Sequence, residues 1–237
     1  MVAGKRKRRS SNNRLRRQKA QYLGSKSTYS VTPGITRVTG YYGRYSPMGT
    51  EFKFHDVDVD VGPIPTAGSI LNSGSINLIA QGTTESTRIG RKCTIRKINW
   101  KYMITNNDQV SNNGDTVRVI MYQDRQANGA TAMVTDILES ANYQSFRNLA
   151  NSGRFKILHD TTHDVNQSAA AGNGTTQEFG NYNESGEFYK NCNIPLEFSS
   201  TTGAITEIRS NNLGVLCISQ SGQCTFDSKV RLRYSDS

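Results

Sequence analysis

The chain has 237 residues and a net charge of +10, from 29 Lys and Arg against 19 Asp and Glu, with three His and four Cys. Apolar runs are short throughout, which excludes a membrane-spanning helix, and no apolar region follows the charged N-terminus, which argues against a secretory signal. With so few histidines and no paired Cys/His spacing, metal-binding and most catalytic classes have little to stand on.

The first twenty residues hold Lys5, Arg6, Lys7, Arg8, Arg9, Arg14, Arg16, Arg17 and Lys19 without one acid. Residues 1–50 carry 12 Lys or Arg and no Asp or Glu, so this leader is +12 and residues 51–237, with 17 cations and 19 acids, are −2. A run so charged and so poor in apolar side chains cannot offset its ordering entropy, and a disordered basic arm is expected. The nine cations are the candidate nucleic-acid-binding residues, neutralising phosphates without reading sequence. The Lys5 to Arg9 cluster also fits a nuclear localisation signal, and both roles are compatible. Two domains follow: a basic arm and linker over 1–50, and a folded body over 51–237.

From Gln21 to Met48 the linker is rich in Tyr, Ser, Thr, Gly and Arg, and Tyr41, Tyr42 and Tyr45 beside Arg44 would stack on bases or dock onto the body, docking being the preferred reading. An arm of this length reaches about 35–40 Å.

The body reads as strands. In Glu51 to Val61, Phe52 and Phe54 share one parity and Val57, Val59 and Val61 the other, so a bulge or bend is expected near His55 and Asp56. Asp56, Asp58 and Asp60 would share one face, as a polar strand surface or a calcium site at a subunit contact; the EF-hand pattern fails, with Val61 and Ala67 where Gly and Glu belong. Ile70 to Ala80 is apolar but of undetermined type. Arg91 to Thr105 is a long strand in which Ile98, Trp100, Tyr102 and Ile104 alternate, while Cys93 and Ile95 have the opposite parity and imply a bulge near Arg96 and Lys97. Its cations, Arg88, Arg91, Lys92, Arg96, Lys97 and Lys101, form a second nucleic-acid surface or pair with acids of a neighbouring subunit; the sequence leaves both open.

After a polar loop, Thr116 to Tyr122 is apolar on both parities and should be a central strand. Asn128-Gly129 makes a turn, and Val134, Ile137, Leu138 and Ala141 keep helical spacing. Arg154 to Asp160 is a strand with Phe155 and Ile157 inward. His159 and His163 are spaced by about 13 Å on an extended chain, too far for one metal. Thr161 to Gly186 reads as a long exposed loop, taking in the Asn166, Asn173 and Asn183 sequons as polar loop positions. Phe188, Cys192, Ile194, Leu196 and Phe198 share one parity, with Pro195 placing the strand at an edge or end. Gly203 to Arg209 holds one more short strand. Leu213 to Ser219 is buried on both faces, and in Cys224 to Tyr234 apolar residues alternate with Thr, Asp, Lys and Arg.

Roughly seven or eight strands with little helix indicate an all-β antiparallel sandwich, and a jelly roll is the expected winding. Cys93, Cys192, Cys217 and Cys224 read as reduced core residues. There is no G-x-x-x-x-G-K-[ST] loop, no G-x-S-x-G elbow and no H-x-E with C-x-x-C, so no enzyme, cofactor or metal is expected.

Several segments taken in order carry a resemblance: Gln81-Gly82, Arg88-Ile89-Gly90-Arg91-Lys92, Val117 to Asp124 leading to Asn128-Gly129-Ala130, Arg154 to Leu158, Asn193 to Phe198, Asn211-Asn212, and the closing strands Leu213 to Ser219 and Val230 to Tyr234. Together they resemble the capsid proteins of circovirus-like viruses, small viruses with circular Rep-encoding single-stranded DNA genomes, and more remotely the coat protein of satellite tobacco necrosis virus. The resemblance implies an eight-stranded jelly roll, self-assembly into an icosahedral T=1 shell of roughly sixty copies, a single-stranded genome inside, DNA in preference to RNA, and assembly in the host nucleus after carriage by an import receptor. It leaves the cell-surface receptor unnamed and implies no membrane insertion. The alternative is a non-viral β-sandwich binding module with a basic localisation tail.

Overall fold

The computed structural model describes residues 52–106, 114–165 and 183–236. Its strands are β1 (Phe52–Asp58), β2 (Ser69–Ile70), β3 (Lys92–Asn106), β4 (Asp115–Asp124), β5 (Phe155–Val165), β6 (Asn183–Phe198), β7 (Ile208–Ser210), β8 (Asn212–Ser219) and β9 (Cys224–Asp236). They form a five-stranded sheet, β1-β9-β3-β6-β7, and a four-stranded sheet, β2-β8-β4-β5.

All the pairings are antiparallel, and four of them nest: β1 with β9, β2 with β8, β3 with β6 and β4 with β5. The chain is thus one long hairpin, folded at the β4–β5 connection and rolled so that β9 also meets β3 and β8 also meets β4. That winding is a jelly roll. Seven of its strands, β1, β3, β4, β5, β6, β8 and β9, lie where strands were expected, and the short β7 answers to the one expected in Gly203 to Arg209; β2, at Ser69–Ile70, is the strand that was not expected.

Side-chain alternation explains why each strand sits where it does. Both central strands of the four-stranded sheet, β4 and β8, are apolar on both faces because both faces are covered. Val117, Val119, Met121, Leu213, Val215 and Cys217 pack into the core between the sheets. Ile120, Tyr122, Leu216 and Ile218 instead join a second cluster with Ala132, Ile137 and Leu138 of the β4–β5 connection. That connection carries a single helical turn, α1 (Val134–Ile137), shorter than the spacing out to Ala141 suggests. The outer face of the five-stranded sheet has no such cover among the described residues. Hence β9 alternates, with Cys224, Phe226, Ser228, Val230, Leu232 and Tyr234 buried while Asp227, Lys229 and Arg231 face out.

The bulge expected in β3 is present: Ile95 pairs with Ile194 and Tyr234, Lys97 with Asn191 and Arg233, and Arg96 falls between. A further bulge lies in β5, where His159 faces Met121, Ile157 faces Tyr122 and Leu158 is left over. This lets Phe155 and Ile157 pack in the second cluster while Leu158 and Val165 reach the inter-sheet core. The bulge expected at His55 and Asp56 is absent, for β1 pairs with β9 in unbroken register from Phe52 to Asp58. The aromatic residues are the outward set, Phe52 and Phe54, and the inward set begins with buried Lys53, whose Nζ donates to Thr87 O at 2.8 Å and pairs with Asp236 at 3.0 Å.

Two other expectations change. Ile70 to Ala80 is extended chain around a 3-10 turn at Asn72–Gly74, with Ile76 and Ile79 fully buried. The segment from Thr161 to Gly186 is not one loop: β5 runs on to Val165 and β6 begins at Asn183, so the Asn183 sequon stands on a strand, and residues 166–182, with the Asn166 and Asn173 sequons, lie outside the described residues. Pro195 fits its expected edge position. Beyond β3, β6 has a strand partner on its other side only at Glu197 and Phe198, where β7 joins it.

Candidate nucleic-acid interface

The nine arm cations, Lys5, Arg6, Lys7, Arg8, Arg9, Arg14, Arg16, Arg17 and Lys19, lie outside the described residues. Among the described residues, basic side chains concentrate on the uncovered face of the five-stranded sheet. Register places them in rows that cross β1, β9, β3 and β6. One row reads Phe54, Arg233, Lys97, Asn191; the next Asp56, Arg231, Asn99, Tyr189; the next Asp58, Lys229, Lys101, Glu187.

The rows differ in how their charges are met. Arg231 grips Asp56 with two hydrogen bonds, of 2.8 and 2.6 Å. That grip, chiefly the hydrogen bonding, holds the Asp56 carboxyl below its usual range. Lys229 pairs with Asp58 at 3.2 Å and Lys101 with Glu187 at 3.6 Å. Asp60 accepts from the Ser228 amide at 3.0 Å. Asp56, Asp58 and Asp60 do share one parity, but two of the three carboxylates are engaged by cations of β9, and no cluster of three His, Cys, Asp or Glu suited to a metal occurs among the described residues.

The Phe54 row has no acid. Its bulge turns both Arg96 and Lys97 to the outer face, between buried Ile95 and Ile98. Arg96 donates from Nε to Ser235 Oγ at 3.2 Å and from Nη1 to Asn193 Oδ1. The Arg233 guanidinium lies over Phe52 at 4.6 Å and Phe54 at 5.3 Å, and Lys97 Nζ is 6.0 Å from the Tyr189 ring. Exposed Phe52, Phe54 and Tyr189 escaped the sequence reading. A signal was there for two of them: outward Arg233 of β9 stands opposite Phe54 and reaches Phe52 diagonally, and an arginine is a good partner for aromatic faces.

Arg88 does not belong to this surface. It is fully buried, with Nε donating to Ile79 O at 2.9 Å, Nη1 and Nη2 donating to Gly90 O and Ser200 O, and the guanidinium 4.2 Å above Phe198. It ties the segment before β3 to the turn after β6.

Inside the sandwich, His159 and His163 share a hydrogen-bonding partner rather than a metal. Both rings point to the Tyr102 hydroxyl, with Nε2 to Oη distances of 3.3 and 2.9 Å. Side-chain reach from one face of β5 closes the gap. Burial lowers both histidine pKa values and pushes the Tyr102 hydroxyl up to about 12. The four cysteines are free thiols, and burial pushes Cys93 up to about 12 and holds Cys217 well above the usual thiol range. Thiols so protonated are poor nucleophiles, consistent with a packing role.

Comparison with known families adds the deciding observation: the family model of the satellite tobacco necrosis virus coat protein matches residues 60–237, about three quarters of the chain. The chain belongs to that coat protein family. The match begins just after β1 and runs through β9, so it covers almost the whole rolled hairpin. No curated protein matches the chain. As a viral coat protein it is a structural component of the virion, and membership implies that its copies assemble with one another and package nucleic acid.

Proposed function

We propose that this coat protein self-assembles into a small icosahedral T=1 shell of roughly sixty copies, with residues 51–237 as the shell domain and residues 1–50 as the arm that condenses a single-stranded genome. The observation that carries the reading is the charge asymmetry, +12 on the leader against −2 on the body. Roughly sixty arms of that charge supply on the order of 700 cations, enough to neutralise most of the charge on a strand of about a kilobase. Lys5, Arg6, Lys7, Arg8, Arg9, Arg14, Arg16, Arg17 and Lys19 are the phosphate-binding residues, and the Lys5 to Arg9 cluster doubles as the nuclear import signal. The genome is circular single-stranded DNA, in keeping with the circovirus-like resemblance, and assembly takes place in the host nucleus.

Support for self-assembly comes from the β4–β5 connection, which exposes Met133, Phe146 and Leu149 at 65, 80 and 72% of their surface. Large apolar side chains so exposed mark contact surfaces.

The test is electron microscopy of the purified full-length protein with sequencing of the nucleic acid it retains. Uniform shells of about 20 nm holding DNase-sensitive single strands are expected. A species that stays monomeric at every protein and salt concentration would refute the shell. Replacing the nine arm cations by Gln should leave the body folded and remove most salt-sensitive binding; unchanged binding would refute the arm's role.

A further inference from the structure

We infer that the folded body carries a second single-stranded nucleic-acid site of its own, built at the β3 bulge from Arg96, Lys97 and Arg233 with Phe52, Phe54 and Tyr189. It deepens the reading above and rests on it for the identity of the ligand.

The argument starts from an uncompensated like-charge contact. Lys97 and Arg233 stand directly opposite each other on β3 and β9. Like charges so placed repel and destabilise a sheet. Lys101 and Lys229 are also opposite, but that row ends in Asp58 on one side and Glu187 on the other, both ion-paired with it. The Lys97 row ends in Phe54 and Asn191, and none of Arg96, Lys97 and Arg233 is ion-paired with a carboxylate among the described residues. The bulge then puts Arg96 and Lys97 on the same face, where a regular strand would have sent one of the two to the core. Three cations gathered without an acid fit an external anion.

The aromatic residues say which kind. Phe52, Phe54 and Tyr189 are 42, 40 and 52% exposed on a face with no covering layer among the described residues. Arg233 is spread over two of these rings and Lys97 lies above the third, so cations and flat apolar faces alternate across neighbouring strands. Sheet surfaces hold single strands in this manner, with bases stacked on aromatic or guanidinium planes and phosphates on the flanking cations. An acidic protein partner would use the cations and leave the rings without purpose.

Three full-length variants test the inference against a fluorescent oligothymidylate over a salt series: Arg96→Gln with Lys97→Gln and Arg233→Gln; Phe54→Leu with Tyr189→Leu; and the nine arm cations replaced by Gln. The first should lower the salt slope of log affinity by about 2, as expected for three lost phosphate contacts on a single strand. The second should weaken binding about tenfold with little change in slope. Ultraviolet crosslinks on the wild-type protein should map by mass spectrometry to Phe52, Phe54 or Tyr189. Without nucleic acid, Lys97→Gln alone should not lower thermal stability, because the position is strained by repulsion rather than supported by a partner. If the arm variant loses binding while both body variants bind as wild type and no body crosslink forms, the body site is wrong and the arm reading stands. If all three bind as wild type, the arm reading fails as well. If the triple Gln variant binds normally but no longer assembles, the surface is a contact between copies and the inference is overturned.

Discussion

Tyr102 Oη lies 2.9 Å from His163 Nε2, and the same oxygen is within 3.3 Å of His159 Nε2. The hydroxyl has one proton to give, so with both rings neutral it donates to one nitrogen and accepts from the other. Thr161 Oγ1 also lies 3.0 Å from His159 Nε2. Protonating both rings leaves the tyrosine proton without a ring nitrogen to accept it and brings two cations together beside these hydroxyls. The surroundings are apolar on most sides, with Trp100 from β3, Phe188 from β6 and Phe226 from β9 around the three rings. The charges facing them are Glu184, Asp160 and Asp164, which raise the histidine pKa values but are outweighed by burial.

The sign of the pH dependence follows. His159 and His163 have folded pKa values below the unfolded value, as has His55, whose Nε2 is buried on β1 without a partner among the described residues. The unfolded chain therefore binds more protons, and stability is full above the unfolded value and lost as pH falls through it toward the folded values. Thermal denaturation of the full-length protein should show a decline between about pH 7 and pH 5, ahead of carboxylate titration. His159→Gln with His163→Gln should flatten most of that decline, leaving the part due to His55. A decline as steep in the double variant would place the effect elsewhere.

Tyr122 poses the opposite case, a hydroxyl with nothing to bond. Its ring lies over Gly214 of β8, where a Cβ would come within 2.3 Å of Tyr122 Oη, and that oxygen is buried without a partner among the described residues. An unpaired buried hydroxyl costs stability that its removal recovers. Tyr122→Phe should therefore be neutral or stabilising by up to about 1 kcal/mol, whereas Gly214→Ala should cost about 1–3 kcal/mol by overpacking. Chemical denaturation of both variants checks this, and a destabilised Tyr122→Phe would mean the hydroxyl has a partner.

Phe146 and Leu149 separate folding from assembly. Both are largely exposed in the single chain, so Phe146→Ser with Leu149→Ser should change its stability by no more than about 0.5 kcal/mol per site. Shell formation followed by light scattering should be lost or shifted to much higher protein concentration. Assembly at the wild-type threshold would remove this connection from the contact surface.

Much of the fold was legible because burial and parity agree in the strands that matter most. β9 alternates and is half exposed, β8 is apolar on both parities and is covered on both faces, and the parity change around Arg96 marks a real bulge. The misreadings share one cause, that residue type stood in for environment. The parity change between Phe52, Phe54 and the valines implies a bulge only if every apolar side chain faces inward, yet Arg233 across the strand gives the two rings an outer partner, and Lys53 turns inward because Thr87 O and Asp236 meet its ammonium. The distance between His159 and His163 bears on a shared metal but says nothing of a tyrosine on the facing sheet that both rings can reach. Of the candidate site's cations, Arg96 and Lys97 belong to the basic patch read from the sequence but Arg233 does not, and only register shows which have acids beside them.

Arg88 is the sharpest instance, a cation read as surface that supports the interior. Its three nitrogens serve the carbonyls of Ile79, Gly90 and Ser200, groups that no other side chain is positioned to satisfy among the hydrogen bonds described. Arg88→Met keeps much of the volume over Phe198 but removes all the donors, and buried carbonyls left bare each cost part of their desolvation. The expected loss is on the order of 3–5 kcal/mol. Arg88→Lys should recover only a fraction, since an ammonium cannot present the planar fork that spans three acceptors. Arg231→Ala, which breaks an exposed bidentate pair with Asp56, should cost far less, because solvent screens that pair. Urea unfolding measures both on one scale, with the slope unchanged if only the native state is affected. Equal losses at the two positions would mean that Arg88 is hydrated in solution and that the segment before β3 is held by something other than this side chain.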